Sequence, residues 1–197
     1  MSNMHEIKQR MKSIKETRQI TKAMKLISAS KLKKARQLLE QALPYFDKVR
    51  RTMEDILMHS ASIDSPFFDK RDSKVIRKKG FIILSGDKGL SGGYNSSIIK
   101  FAERSVCDDN ECVLFVAGQV GRNYFIKKGY NVDENFNYMV QDPSIYTARE
   151  ISEIIIEKFL SGELDEIHII YSLMISSVRI EPHAMKLLPL DLDSIME

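Results

Sequence analysis

The 197-residue sequence is poor in the features that mark several broad protein classes. It holds two cysteines, Cys107 and Cys112, too few for a disulfide framework or, by themselves, for a four-ligand zinc site. No run approaches the ~18 uninterrupted apolar residues of a membrane span. Near the start, Lys8, Arg10, Lys12 and Lys15 break every apolar stretch, so no secretory signal is expected there. Glycine is missing altogether before Gly80. A membrane-spanning, collagen-like or disulfide-stapled protein is thereby excluded. What remains, 43% hydrophobic and 29% charged residues, is the composition of a globular protein rather than a disordered one. The length fits one domain, or one domain with an appendage.

The net charge of +3 hides an asymmetry. Residues 1–36 carry eleven Lys/Arg and only Glu6 and Glu16 as acids, a local charge of +9, which leaves −6 for residues 37–197. A basic arm on a mildly acidic body implies an anionic partner for the arm: nucleic acid, a membrane surface or an acidic protein surface.

Residues 3–57 are expected to form one long helix. Asn3 and Glu6 have the N-x-x-E form of a capping box. Met4, Ile7, Met11, Ile14, Met24, Ile27, Leu32, Ala35, Leu38 or Leu39, Ala42, Phe46, Val49, Met53 and Ile56 then recur mostly three and four residues apart. That is a heptad stripe, weakest over residues 17–21. The helix would be roughly 80 Å long. Pro44 removes one ladder bond and should kink it. A rod of this length cannot bury its stripe against a body of this size and needs a partner helix. The basic residues would equally suit a nucleic-acid-binding helix, but they are spread around it. No aromatic residue accompanies them before Tyr45, so bases have no stacking platform.

After a linker over residues 60–74, rich in Ser and Asp, the pattern alternates between strand and helix. Residues 80–85 and 112–117 read as strands buried on both faces, and 167–173 as a third. Helices are expected over 95–106 and 119–128, the second ended by Gly129. A short strand is expected around Val132. A further helix should be opened by the box Thr147-Ala148-Arg149-Glu150 and end near Gly162. Val178, Ile180, Pro182 and Ala184 alternate as in an edge strand that tolerates proline. This order implies an α/β body with a largely parallel, Rossmann-like sheet behind the long coiled-coil helix. The expected layout is residues 1–59 for the helix, 60–74 for the linker, 75–190 for the body and 191–197 for a lead-in to something further.

The one glycine-rich loop runs from Gly86 to Asn95, after a strand and before a helix, where nucleotide folds bind phosphate. It has neither the G-x-x-x-x-G-K-[ST] of a P-loop nor the G-x-G-x-x-G of a dinucleotide site. A tight turn that approaches another protein surface is the expected use. His5, His59, His168 and His183 show no metal-ligand spacing, and His168 lies inside an apolar strand. Cys107 and Cys112 flank Asp108, Asp109, Asn110 and Glu111 and are expected to end a helix and begin a strand. No catalytic constellation, cofactor site or metal site is expected.

Two segments carry a resemblance. Residues 7–14 (IKQRMKSI) with 17–32 (TRQITKAMKLISASKL) resemble the N-terminal helix of the gamma subunit of F-type ATP synthases. Residues 87–95 (DKGLSGGYN) resemble the loop after that family's first strand. The spacing between them, the Pro44-Tyr45 pair and the Leu187-Leu188-Pro189 run also fit. The family usually has Cys in place of Ser91 and Ser in place of Gly86. Its members continue into a long C-terminal helix that pairs antiparallel with the first, so the resemblance marks this chain as a fragment or truncated product.

The resemblance implies a non-catalytic central stalk of a rotary motor, coupling ion flow through the membrane sector to ATP synthesis. The implied partners are the alpha and beta subunits of the catalytic hexamer, the epsilon subunit and the membrane rotor ring. No nucleic acid, cofactor or direct membrane insertion is implied. The implied location is peripheral, on the cytoplasmic face of the bacterial cell membrane. The residues expected to touch partners are Lys8, Arg10, Lys22, Met24, Lys25, Lys31, Lys33 and Lys34 on the rod, and Asp87, Lys88, Gly89, Gly92, Gly93 and Asn95 on the loop. The rival readings are a basic coiled-coil protein that binds nucleic acid or another helical protein, and a nucleotide-using α/β enzyme.

Overall fold

The computed structural model describes residues 2–59, 65–68, 77–106, 112–141, 143–176 and 179–190. Most of the expected linker, Cys107 with residues 108–111, Val178 and residues 191–197 lie outside the described residues. The chain divides into two compact units, Met1–Ser60 and Ala61–Glu197.

The first unit is one helix, α1 (Ser2–His59). It begins one residue before the expected cap, so Asn3 lies within the helix and does not precede it. The helix runs through Pro44 without interruption. In the weak stretch of the apolar stripe the threonine hydroxyls bond back to the helix. Thr17 Oγ1 donates to the Ser13 carbonyl at 2.9 Å, and Thr21 Oγ1 donates to the Thr17 carbonyl at the same distance. These bonds return side-chain polarity to the helix itself.

The second unit carries β1 (Lys79–Leu84), α2 (Tyr94–Ser105), β2 (Cys112–Ala117), α3 (Gln119–Lys128), α4 (Ile145–Leu160), β3 (Glu166–Met174) and β4 (Ile180–Leu188). The sheet order is β2-β1-β3-β4. β1 pairs parallel with both β2 and β3, while β4 pairs antiparallel with β3 at the edge, placing Pro182 opposite Ser172. The mostly parallel, Rossmann-like sheet is as the sequence leads one to expect. Val132 adds a single parallel bridge to Leu114.

Strand apolarity on both sides is explained by two cores. Phe81, Ile83, Leu114, Val116 and Ile170 pack with Ile98, Ala102 and Phe125 of α2 and α3. Ile82, Phe115 and Ile167 pack with Ile155 and Phe159 of α4. Within the expected linker, Phe67 stacks on Phe159 with ring centres 6.4 Å apart, so this short stretch is attached to the body.

The start of α4 also needs correction. The cap of α4 is Ser144, not Thr147: Ser144 is extended, and its Oγ accepts the Thr147 N–H at 3.1 Å. The helix therefore gains a first turn in which Ile145 and Tyr146 are exposed. The apolar stripe starts only at Ile151, so periodicity places the beginning too late.

The C-terminal ends of β1 and β2 are tied by Ser85, which is fully buried. Its hydroxyl lies 3.1 Å from the Ala117 carbonyl and 3.0 Å from the Gly118 carbonyl, and it accepts the Gly121 N–H at 3.0 Å. A Cβ on Gly118 would stand 2.2 Å from the Ser85 carbonyl oxygen, and one on Gly121 2.5 Å from Ser85 Oγ. Both glycines are therefore required by close approach, and Gly118 also by its φ of 91°.

On β3, Glu166 accepts from Arg77 Nη1 at 2.8 Å and lies 3.6 Å from Lys79 Nζ and 3.4 Å from His168 Nε2. Burial pushes this carboxyl up, but Arg77, His168 and Lys79 together outweigh it and hold it below its ordinary range. Burial also pulls His168 below the ordinary imidazole value, helped by Lys79 and Lys186 and opposed by Glu166. The His168 ring stacks on Phe81 at 5.1 Å, as befits a residue on a sheet face.

Two outcomes are expected. Ser85→Ala leaves the buried Gly121 N–H unpaired, and Gly121→Ala crowds the same hydroxyl. Each should lower the body's stability to urea by about 1–3 kcal/mol, and a loss within error of zero would contradict the tie. Both Glu166 and His168 hold a proton less readily folded than unfolded, so stability must fall as pH falls. The loss through His168 should begin below pH ~6.5, and the loss through Glu166 near pH ~4. Urea midpoints from pH 7.5 to 5.5 should decline, and His168→Gln should flatten that decline. An unchanged slope in the variant would refute the assignment.

Candidate functional site

On α1, the expected contact residues Lys8, Arg10, Lys22, Lys25, Lys31, Lys33 and Lys34 are all exposed. None of them is in a salt bridge with another described residue, whereas Arg50 pairs with Glu54 at 3.7 Å further along. Between Ser13 and Lys25 a shallow, open groove is lined by Ile14, Thr17 and Thr21 together with Ser13, Arg18, Lys22 and Lys25. With the threonine hydroxyls bonded to the backbone, the groove combines apolar surface with three cations. It suits an apolar side chain flanked by carboxylates. Met24 is itself 47% exposed.

On the body, the glycine-rich loop leaves β1 at its C-terminal end and enters α2. The strand order reverses direction about β1, since β2 lies on one side and β3 on the other, so the loop sits at the switch point of the sheet. Its centre is Asn95, which is buried. Asn95 Oδ1 accepts the Gly86 N–H at 2.8 Å, and Nδ2 donates to the Lys88 carbonyl at 3.1 Å and to Ser91 Oγ at 3.0 Å. A Cβ on Gly86 would meet Asn95 Oδ1 at 2.7 Å, which explains a glycine there. The Gly86 N–H that a phosphate would need is thus already used within the loop.

The structure brings Asp87, Lys88, Gly89, Gly92, Gly93 and Asn95 together in this one turn, and it separates their roles. Asn95 and Asp87 hold the loop, while Lys88, Gly89, Gly92 and Gly93 are exposed along it. Asp87 Oδ2 accepts the Val140 N–H at 3.0 Å, tying the loop to the segment before α4. That segment is braced by Arg122 of α3, whose guanidinium donates to the carbonyls of Asp133, Phe136 and Glu134 at 2.9, 3.0 and 2.9 Å.

Sequence reasoning missed Arg122, Ser85 and Leu90. The G-x-x-G of residues 118–121 hinted at the close approach to Ser85, while Arg122 left no signal because its partners are backbone carbonyls. Leu90 is 94% exposed and holds φ 63°, a left-handed conformation that costs a branched residue roughly 1–2 kcal/mol. The loop therefore presents an apolar side chain to solvent at its tip.

Among the described residues no group of His, Cys, Asp and Glu could hold a metal ion, and no helix is long and apolar enough to cross a membrane. Cys112 is buried at the start of β2, and His183 meets the edge of the Tyr171 ring.

Comparison with known proteins agrees with this geometry. The family model described as ATP synthase matches residues 3–196. The ATP synthase gamma chain of Acetivibrio thermocellus is 55% identical over 197 residues, all of this chain and 67% of that protein. The gamma chain of Ruminiclostridium cellulolyticum is 53% identical with the same coverage of each. The chain thus spans about two thirds of the length of these relatives. Among solved structures, the Tetrahymena thermophila mitochondrial ATP synthase central stalk and c-ring contains a chain with a similar fold. It matches with a TM-score of 0.60 and 23% identity, over 86% of this chain and 72% of that one. The readings as a nucleic-acid-binding helix or a nucleotide-using enzyme find no support in these relatives. A long helix ahead of a Rossmann-like body, matched over its whole length, places the chain in the ATP synthase gamma-chain family of non-catalytic stalk subunits.

Proposed function

We propose that the chain is a rotor element: it transmits ion-driven rotation in the membrane sector to conformational change in an alpha/beta hexamer. The observation that carries this reading is α1. It is a single helix of 58 residues whose apolar stripe and cations both stand in solvent. A stiff rod with such a face is built for contact along its length rather than for chemistry at a point.

In this reading residues 1–59 are the rod, 60–74 the linker and 75–190 the docking foot. Lys8, Arg10, Lys22, Met24, Lys25, Lys31, Lys33 and Lys34 meet acidic and apolar surfaces of the alpha and beta subunits. The groove around Ile14 gives those contacts a shape. The loop of Asp87, Lys88, Gly89, Gly92, Gly93 and Asn95, with Leu90 at its tip, meets the epsilon subunit and the rotor ring. The rigidity that Asn95 gives the loop supports this use, since a docking surface gains from being preorganised. The protein then lies at the cytoplasmic face of a bacterial membrane, held there by the complex.

The test is an ATP synthase assembled with this chain completed by the last third of a relative's gamma chain. Close opposite charges at a partly buried interface are worth about 1–4 kcal/mol, whereas exposed ones are screened by salt. Lys25→Glu and Met24→Lys should therefore shift the hydrolysis rate, its coupling to ion flow and its salt dependence. Unchanged coupling together with an unchanged salt profile in both variants would refute contact through this part of the rod.

A further inference from the structure

The charged cluster on β3 stands beside the free edge of the sheet. Its one carboxylate, Glu166, already answers two cations, with Arg77 Nη1 at 2.8 Å and Lys79 Nζ at 3.6 Å. His168 Nε2 lies 3.4 Å from the same carboxylate, and Lys186 of β4 pairs directly opposite His168. α2 packs over this face of the sheet around Ile170. Its charged residues do not balance the cluster: Lys100 and Arg104 are exposed, and Glu103 accepts from Tyr124 Oη at 2.8 Å. Among the described residues, the groups that face His168 are therefore Glu166, Lys79 and Lys186.

A neutral His168 fits this place, with its ring stacked on Phe81 at 5.1 Å and its side chain 23% exposed. An imidazolium there would lose part of its hydration and stand between two lysines, beside a carboxylate that is already shared. Some neighbour must then yield. β1 is paired on both sides, by β2 and β3. β4 is paired on one side only, by β3. The ladder is also irregular at this point: His168 pairs with Lys186 and Ile167 with Leu188, so Leu187 is an extra residue in β4. Such a bulge weakens the pairing locally. The end of β4 is thus the weakest element touching the cluster.

We propose that His168, Glu166 and Lys186 form a pH-sensitive latch on the edge strand: mild acidification releases β4 over Lys186–Leu188 while β1 and β2 stay paired. Opening moves Lys186 away and returns His168 to water, so the open form takes up the proton that the closed form resists. Opening is therefore favoured as pH falls through the ordinary imidazole range. The stretch released is not neutral to its surroundings. Leu187 and Leu188 line an apolar groove of about 510 Å³ between α4 and the sheet, together with Ile82, Ile155 and Ile169. The latch thus ties the exposure of that apolar surface to pH.

The test is amide hydrogen exchange on the full chain at pH 7.5 and 5.5, with rates corrected for the chemical effect of pH. Protection over residues 185–188 should fall several-fold at pH 5.5, with about tenfold as the ceiling for one histidine of ordinary pKa near 6.5 in the open form. Protection over residues 81–84 and 113–116 should not change between the two pH values. His168→Gln should remove the pH dependence at 185–188. Lys186→Met keeps the apolar stem and removes one of the two lysine charges, so it should reduce that dependence. An equal fall in every strand would overturn the latch, because it would show a loss of the whole body. So would pH-independent protection at 185–188 in the unaltered chain, or an undiminished pH dependence in Lys186→Met.

Discussion

The apolar stripe of α1 stands in water, and the behaviour of the whole first unit depends on what covers it. Met4, Ile7, Met11, Ile14, Ile27 and Phe46 are each at least half exposed. Burying one such side chain contributes about 1.5–3 kcal/mol before ordering entropy is subtracted. Helices in proteins draw most of their stability from packing of an amphipathic face rather than from propensity. The stability of the rod is therefore a property of rod plus partner. In the proposed contact the cations around Ile14 would add direction to this requirement: apolar contact would supply affinity, while charge would favour an acidic surface.

The body has the opposite economy. Its strands β1 and β2 are covered on both faces, and its glycine-rich loop is fixed by bonds that lie mostly below the surface. Asn95 closes the loop on itself, Asp87 ties it to Val140, Arg122 braces that segment, and Ser85 pins the strand ends beneath. The loop can thus keep Leu90 in a left-handed conformation and fully presented, because the surroundings over-determine it. In the proposed role such a loop would dock without reorganising.

The broad architecture was legible because it rests on periodicity and on short apolar runs. The helix over residues 3–57, the strands after residue 80 and the edge strand with Pro182 all follow from spacing alone. Gly129 was legible as a helix end, since its φ of 83° is what a glycine there permits. The start of α4 was not, because its first turn is exposed and carries no apolar stripe before Ile151. Ser85, Gly118 and Gly121 were illegible as a unit. Their contact joins residues more than thirty positions apart and exists only once β1 and β2 are side by side. Arg122 and Asp87 were illegible in the same way, since they bond to backbone groups, which any residue supplies. The sequence order brought the loop residues into one candidate group, but it could not divide those that hold the loop from those that face outward.

Hydrogen exchange on α1 and on the body, measured in the same chain, tests the central claim most directly. In dilute, monomeric protein the amides of residues 81–84, 113–116 and 167–171 should be strongly protected and those of residues 12–39 weakly. Adding alpha and beta subunits should slow exchange in residues 12–39 and leave the body's strands as they were. Equal protection of both regions in a proven monomer, or no slowing of α1 in the presence of those subunits, would contradict the account of a rod whose stability comes from its partners.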